Sequence, residues 1–305
     1  MRIKNKNRIK DTTGDYIMDG IVLFITAIVI IVTVYPLIYV VSMSISDPFA
    51  VARGEVILLP KGFSLLSYKK ALADDSIWQS YGNTLWYTVV GTVCGIAATM
   101  LAAYPLSRKS FVGRKFFNTL LLIQMFFGGG MIPTYIVVVK FLHLYNSRWA
   151  MILPALTSAF NIFVARNFIL SLPEELLDCA KIDGASEFRI FTNIILPLSK
   201  SVMSVLTVYF AIGYWNSYFP SVLYHGDSSL HPLGMYVRKL VIQNSILNTP
   251  EDLLPGGTMI DPESILSNLQ LKYTVICIAV LPLIMIYPFF SKYMKKGLMV
   301  GSLKG

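Results

Sequence analysis

Four stretches of this chain, residues 20–46, 76–107, 116–139 and 201–226, contain no Asp, Glu, Lys or Arg. Each exceeds the roughly 20 apolar residues that carry a helix across the hydrocarbon core of a bilayer. Two shorter runs, 149–165 and 273–291, are apolar and bounded by polar residues. A backbone in lipid must satisfy its own hydrogen bonds, so these runs are helices rather than open strands. The expectation is an all-α integral membrane protein with six spanning helices over 20–294. Composition agrees, since only 14% of the 305 residues are charged, where soluble domains carry about a quarter.

The net charge is +9, and its placement argues against a nucleic-acid partner. Basic residues gather at Arg2, Lys4, Lys6, Arg8 and Lys10, at Arg108, Lys109, Arg114 and Lys115, and at Lys292, Lys295, Lys296 and Lys304. With six spans these three groups fall on one side of the membrane, which the positive-inside rule makes cytoplasmic. The basic tail 1–19, the 172–197 loop and the tail 295–305 are then inside. Loops 47–75, 140–148 and 227–272 are outside. The first apolar run is too long for a signal peptide and no small-residue cleavage site follows it, so it reads as an uncleaved span. Cys94, Cys179 and Cys277 show neither a disulfide framework nor metal-ligand spacing.

Pro173 to Pro197 lies between two long apolar segments and is far more polar than either, with Glu174, Glu175, Asp178, Lys181, Asp183, Glu187 and Arg189 close together. Ser171 and Glu174 have capping-box spacing, and Pro173 suits a first helical turn. Leu176, Leu177 and Ala180 follow at helical spacing. Gly184 stands where the helix must stop in left-handed φ. Ser186 can cap a second helix with Phe188, Phe191, Ile194 and Ile195 on one side. The pattern is helix, Gly turn, helix at a membrane surface; an ordinary amphipathic loop between spans remains the alternative.

Within the spans, Gly91, Gly95, Ala97, Ala98, Ala102 and Ala103 permit close helix packing. Gly128-Gly129-Gly130 and Pro133 break the third span, either as a kink or as the lining of a cavity. Arg166 sits near an inner end, where it can snorkel in a structural role. Tyr214, Trp215, Asn216 and Tyr218 place aromatics beside an amide. An aromatic belt explains some of these, and stacking on sugar rings explains the combination. With Gln124 and Asn161, polar within their spans, they are the candidate substrate path. No phosphate loop, Ser-His-Asp set or H-E-x-x-H pattern occurs, so the chain is not expected to hydrolyse ATP or to be an enzyme. The spans hold almost no ionisable group, which disfavours an ion-coupled carrier.

The stretch PEELLDCAKIDGASEFRIFTNIILP resembles the EAA motif of bacterial ABC-importer permeases, roughly E-A-A-x-x-x-G, nine residues, then I-x-L-P. Asp178-Cys179-Ala180 stand at E-A-A, departing in Asp and Cys, with Gly184 at the glycine and Ile194-Ile195-Leu196-Pro197 at the end. Arg166-Asn167-Phe168 is also similar. The chain resembles the maltose-permease-G-like carbohydrate group. In Tyr214–Pro220 and in Gly297–Gly305 it resembles the subgroup for complex oligosaccharides. The resemblance implies a type I importer permease with cytoplasmic coupling helices in a bacterial plasma membrane. It implies a second permease, two ATP-binding subunits carrying ATP and Mg, and an extracytoplasmic solute-binding protein. Glu174, Glu175, Asp178, Ala180, Asp183 and Gly184 would then contact or shape the contact with the ATPase, and the C-terminal tail would reach between the ATP-binding subunits. A permease of the same fold for a peptide or amino acid, and an ion-coupled carrier, remain the alternatives.

Overall fold

The computed structural model describes residues 13–246 and 270–285, all helices and connections with no strand among them. The expected outer-loop segment 247–269 and the two ends of the chain, including the tail 295–305, lie outside the described residues. The described residues fall in two compact units, one of residues 13–71 and 270–277, the other of 72–246 and 278–285.

In the first unit, α1 (Thr13–Ile45) begins inside the stretch expected as a polar tail. Residues 13–38 of α1 are exposed throughout. Its C-terminal end is buried because Ser42, Ser44 and Ser46 meet partners there. Gln270 Nε2 lies 2.9, 3.2 and 2.7 Å from the carbonyls of Met43, Ser44 and Ser46, which a helix end otherwise leaves unpaired. α2 (Pro48–Ala52) is capped by Asp47, and α3 (Leu66–Leu72) packs Ser67 against Thr274 Oγ1 at 2.9 Å.

The second unit is built on α4 (Asp75–Ser107), started by the Asp74 side chain accepting from Ser76 N. α5 (Arg114–Phe126) and α6 (Met131–Ile136), which runs on as a π-turn to Phe141, are bent by 116° at the three glycines. Gly130 takes φ +82° there. Residues 122–134 are exposed in this chain, so the break is not enclosed by the chain itself. α7 (Trp149–Ile152) continues as a 3-10 turn to Ala155 and bends by 53° into α8 (Ala159–Leu170), a break after Pro154 where one continuous helix was expected. α9 (Glu175–Ile182) and α10 (Glu187–Ile190) form the expected pair. A π-turn, Phe191–Ile195, and α11 (Leu196–Leu198) lead by a 77° bend at Ser199 into α12 (Lys200–Trp215). α13 (Phe219–Tyr224) and α14 (Leu233–Ile246) follow. The fifth expected span, 197–224, is thus broken twice, at Ser199 and again at residues 216–218. Asn216 closes α12, and Phe219 reopens a helix with Pro220 in its first turn, where a missing N–H costs nothing.

α12 and α8 pack on α4. The small residues of α4 make this possible. An added Cβ at Gly91 would lie 2.5 Å from the Tyr214 ring, and one at Gly95 would lie 2.7 Å from Phe210. The glycines therefore form slots for two aromatic rings, which is how small residues let helices approach in lipid. Among the described residues two helices, α1 and α4, are each long and apolar enough to cross a membrane, and up to five spans result if each bent pair is one. The helix Gln270–Met285 is shorter, and the rest of the sixth expected span lies outside the described residues.

Candidate functional site

The turn between α9 and α10 is closed by its backbone. Gly184 has φ +74°. Ala185 N donates to Ala180 O at 2.9 Å, and Gly184 N donates to Lys181 O at 3.0 Å. This pair of bonds is a Schellman motif, which needs a residue in left-handed φ at the position Gly184 occupies. Ser186 then caps α10, its Oγ accepting from Arg189 N at 3.4 Å. The expected capping box at Ser171 does not form. Ser171 ends α8 instead, with Oγ donating to Phe168 O at 2.7 Å, and α9 begins without a side-chain cap.

Burial decides which side chains hold this segment and which are presented. Leu177, Ala180, Ile190, Phe191 and Ile195 are buried in one cluster with Met100, Tyr104 and Leu106 of α4 and Ile162, Ala165 and Ile169 of α8. Phe188, expected on the same side, is 72% exposed. The π-turn starting at Phe191 brings Ile190, Phe191 and Ile195 inward and leaves Phe188 outside. Glu187 ties the segment to α4, accepting from Tyr104 OH at 2.5 Å and pairing with Lys181 Nζ at 3.2 Å. Glu174 pairs with Lys109 Nζ at 2.9 Å, and this hydrogen-bonded cation holds its carboxyl below the usual range. Exposed ion pairs contribute little on their own, so the apolar cluster carries the rigidity.

Among the candidate coupling residues, Glu174, Glu175, Asp178, Asp183 and Gly184 are exposed and Ala180 is turned inward. Ala180 supplies the carbonyl at which the Schellman motif closes. Two exposed apolar residues flank the turn, Ile182 at 85% exposed, which sequence reasoning passed over, and Phe188, which it had placed on the buried side. The signal for Ile182 was available, because it is apolar and off the Leu177–Ala180 face.

The candidate path residues do not form one cluster. Tyr214 is buried, donating from its hydroxyl to Ile152 O at 3.2 Å. Trp215 is buried, with Nε1 donating to Ala279 O at 3.1 Å and its ring edge-on to Tyr81 at 5.9 Å. Their polar atoms are spent on backbone carbonyls. Asn216 and Tyr218 are exposed beside them, Asn161 is buried on α8, and Gln124 is exposed on α5. No group of His, Cys, Asp or Glu able to hold a metal occurs among the described residues.

Residues 95–299 match the family model described as the binding-protein-dependent transport system inner membrane component. The chain belongs to this family. It is a membrane-embedded permease component of an ABC transport system, with the type I permease fold, and works with other subunits. Similar proteins include LplC of Bacillus subtilis, 38% identical over 274 residues and 90% of each chain. Another is the polygalacturonan/rhamnogalacturonan transport system permease protein YtcP of the same organism, 36% identical over 275 residues, 90% of this chain and 94% of that one. In structure the chain is similar to part of a bacterial ABC transporter involved in the import of the acidic polysaccharide alginate. The TM-score is 0.82 at 29% identity, covering 94% of this chain and 99% of that one. As a permease of this family the chain is an ABC importer component rather than an ion-coupled carrier. The family match spans the α9–α10 segment and the end of α12, so both candidate regions lie in the part of the chain that defines the permease.

Proposed function

We propose that this chain is one of two homologous permease subunits of an ATP-driven oligosaccharide importer, and that the α9–α10 segment is its contact with an ATP-binding subunit. The observation that carries the reading is the locked Gly184 turn. It presents Ile182, Phe188 and the carboxylates of Glu175, Asp178 and Asp183 on a segment whose other face is buried against α4 and α8. Apolar knobs ringed by charge suit a cleft in a protein partner. Buried anchorage makes the segment a lever, so closure of the partner becomes a rigid-body shift of the helices it rests on.

The remaining parts of the proposal rest on the sequence and on the family. Six spans cross the membrane over 20–294, with both termini, 1–19 and 295–305, in the cytoplasm. ATP and Mg are held by two partner ATP-binding subunits, and this chain carries no ATPase site of its own. An extracytoplasmic binding protein delivers substrate to the 227–272 loop side. The exposed apolar length of α1 leaves a surface for lipid and for the second permease. Along the pathway, Gln124, Asn216 and Tyr218 meet substrate, while Asn161, Tyr214 and Trp215 shape the wall behind them. The names of YtcP and of the alginate importer make uronate-bearing oligosaccharides the first compounds to test. A peptide or amino-acid substrate is the competing reading, and the exposed Asn216 amide and Tyr218 ring favour sugar.

The test is uptake by cells expressing the whole importer. Uptake that continues when the proton gradient is collapsed with ATP intact, and that stops on ATP depletion, is expected. Uptake that follows the proton gradient contradicts the reading.

A further inference from the structure

A groove of about 870 Å³ opens where the 108–113 link meets the start of α5 and the end of α8. Four cations line it, Lys109, Arg114, Lys115 and Arg166, and no acid does. Lys109 is paired with Glu174. Among the described residues Arg114, Lys115 and Arg166 form no ion pair. Arg166 is held in place, with Nε donating to Leu106 O at 3.0 Å and Nη1 to Asn167 Oδ1 at 3.3 Å. Three uncompensated like charges around one concavity make a positive field that an anion relieves.

The groove changes character along its length. Leu122 stands seven residues beyond Lys115 on α5, roughly 10 Å deeper at 1.5 Å per residue. Phe163 lies about one turn deeper than Arg166 on α8, and both aromatic and leucine line the same groove. The cationic end is at the helix termini and the apolar end runs along the apolar helices. A free phosphate or an acidic protein surface would use only the first. A phospholipid at the interface uses both, and basic pockets between membrane helices are where anionic headgroups bind.

We propose that this groove is a binding site for an anionic phospholipid, its phosphodiester between Arg114, Lys115 and Arg166 and an acyl chain along Leu122 and Phe163. The site rests on the membrane embedding of the chain and is independent of the sugar that it transports.

The test uses the whole importer reconstituted in vesicles of phosphatidylcholine with a minor share of phosphatidylglycerol, then extracted and weighed by native mass spectrometry. The wild-type complex should retain phosphatidylglycerol above its share in the vesicle. Arg114→Gln with Lys115→Gln should lower that preference by roughly fivefold per charge removed, with the ATP-binding subunits still attached. Retention at the vesicle ratio by the wild type, or undiminished preference in the double variant, overturns the proposal. So does displacement of the lipid by excess inorganic phosphate, which would make the groove a free-phosphate site. Loss of the ATP-binding subunits from the double variant with lipid unchanged would make it a protein contact and also overturns the proposal. None of these outcomes bears on substrate uptake, which is scored separately.

Discussion

Replacing Gly184 by Val should uncouple the importer while leaving the chain in the membrane. A Cβ at residue 184 would meet no atom within 4 Å, so the cost comes from backbone conformation and not from crowding. An L-residue held at φ +74° costs about 1–2 kcal/mol, and a β-branched one sits at the upper end. If the turn opens instead, the bonds from Ala185 N and Gly184 N are lost at about 1 kcal/mol each. Either route costs about 2 kcal/mol, a factor of roughly 30 in the population of the closed turn. α9 has eight residues and no side-chain N-cap, so it has little reserve of its own. Ala should cost about half as much, and Asn, which tolerates left-handed φ, should restore most of the function. The assay is ATPase activity of the reconstituted importer stimulated by binding protein and substrate, with membrane levels of the chain measured alongside. The expected order is Gly, Asn, Ala, Val. Wild-type stimulation in Gly184→Val refutes the reasoning, and so does equal loss in Asn and Val, because then side-chain volume at the partner would matter and φ would not.

Gly91→Val should drive α12 off α4, since its Cβ alone would lie 2.5 Å from the Tyr214 ring; overpacking of this kind costs about 1–3 kcal/mol, read as a lower unfolding temperature of the detergent-purified protein. Trp215→Ala should cost about 3–5 kcal/mol by emptying a buried site, whereas Asn216→Ala and Tyr218→Ala should stay within about 0.5 kcal/mol and lower uptake; a fully stable Trp215→Ala protein with reduced uptake would instead put Trp215 in the path. Burial pulls the imidazoles of His225 and His231 below their usual range. Both are thus folded neutral, so their contribution is intact above about pH 6.5 and is lost as pH falls below it. Thermal unfolding scans across that range should show the loss, and a flat profile would contradict it.

The α9–α10 segment was legible because its signals are local. Gly184 and Ser186 act within a few residues of their partners, and Leu177 and Ala180 share one face at helical spacing. The failures have longer reach. Ser171 was free to cap α9 in sequence terms, but α8 runs to Leu170 and takes the hydroxyl for its own end. Phe188 was placed by a 3.6-residue period that the π-turn at Phe191–Ile195 interrupts. Tyr214 and Trp215 looked like ligand-facing residues by type. The Tyr214 ring lies against Gly91, more than 100 positions earlier in the chain, and Trp215 Nε1 donates to a carbonyl at Ala279. The bends after Pro154 and at Ser199 fall where continuous helices were expected, because a proline permits a break without requiring one.

The central claim is that the Gly184 turn docks on an ATP-binding subunit at the cytoplasmic face. Ile182 tests it most directly, because at 85% exposed it is more open than Phe188, the other large apolar residue beside the turn. In the assembled importer, Ile182→Cys should crosslink to single cysteines in the cleft of the ATP-binding subunit and should resist an impermeant thiol reagent added outside intact cells. Labelling of residue 182 from outside, with no crosslink to the ATP-binding subunit, would contradict the account.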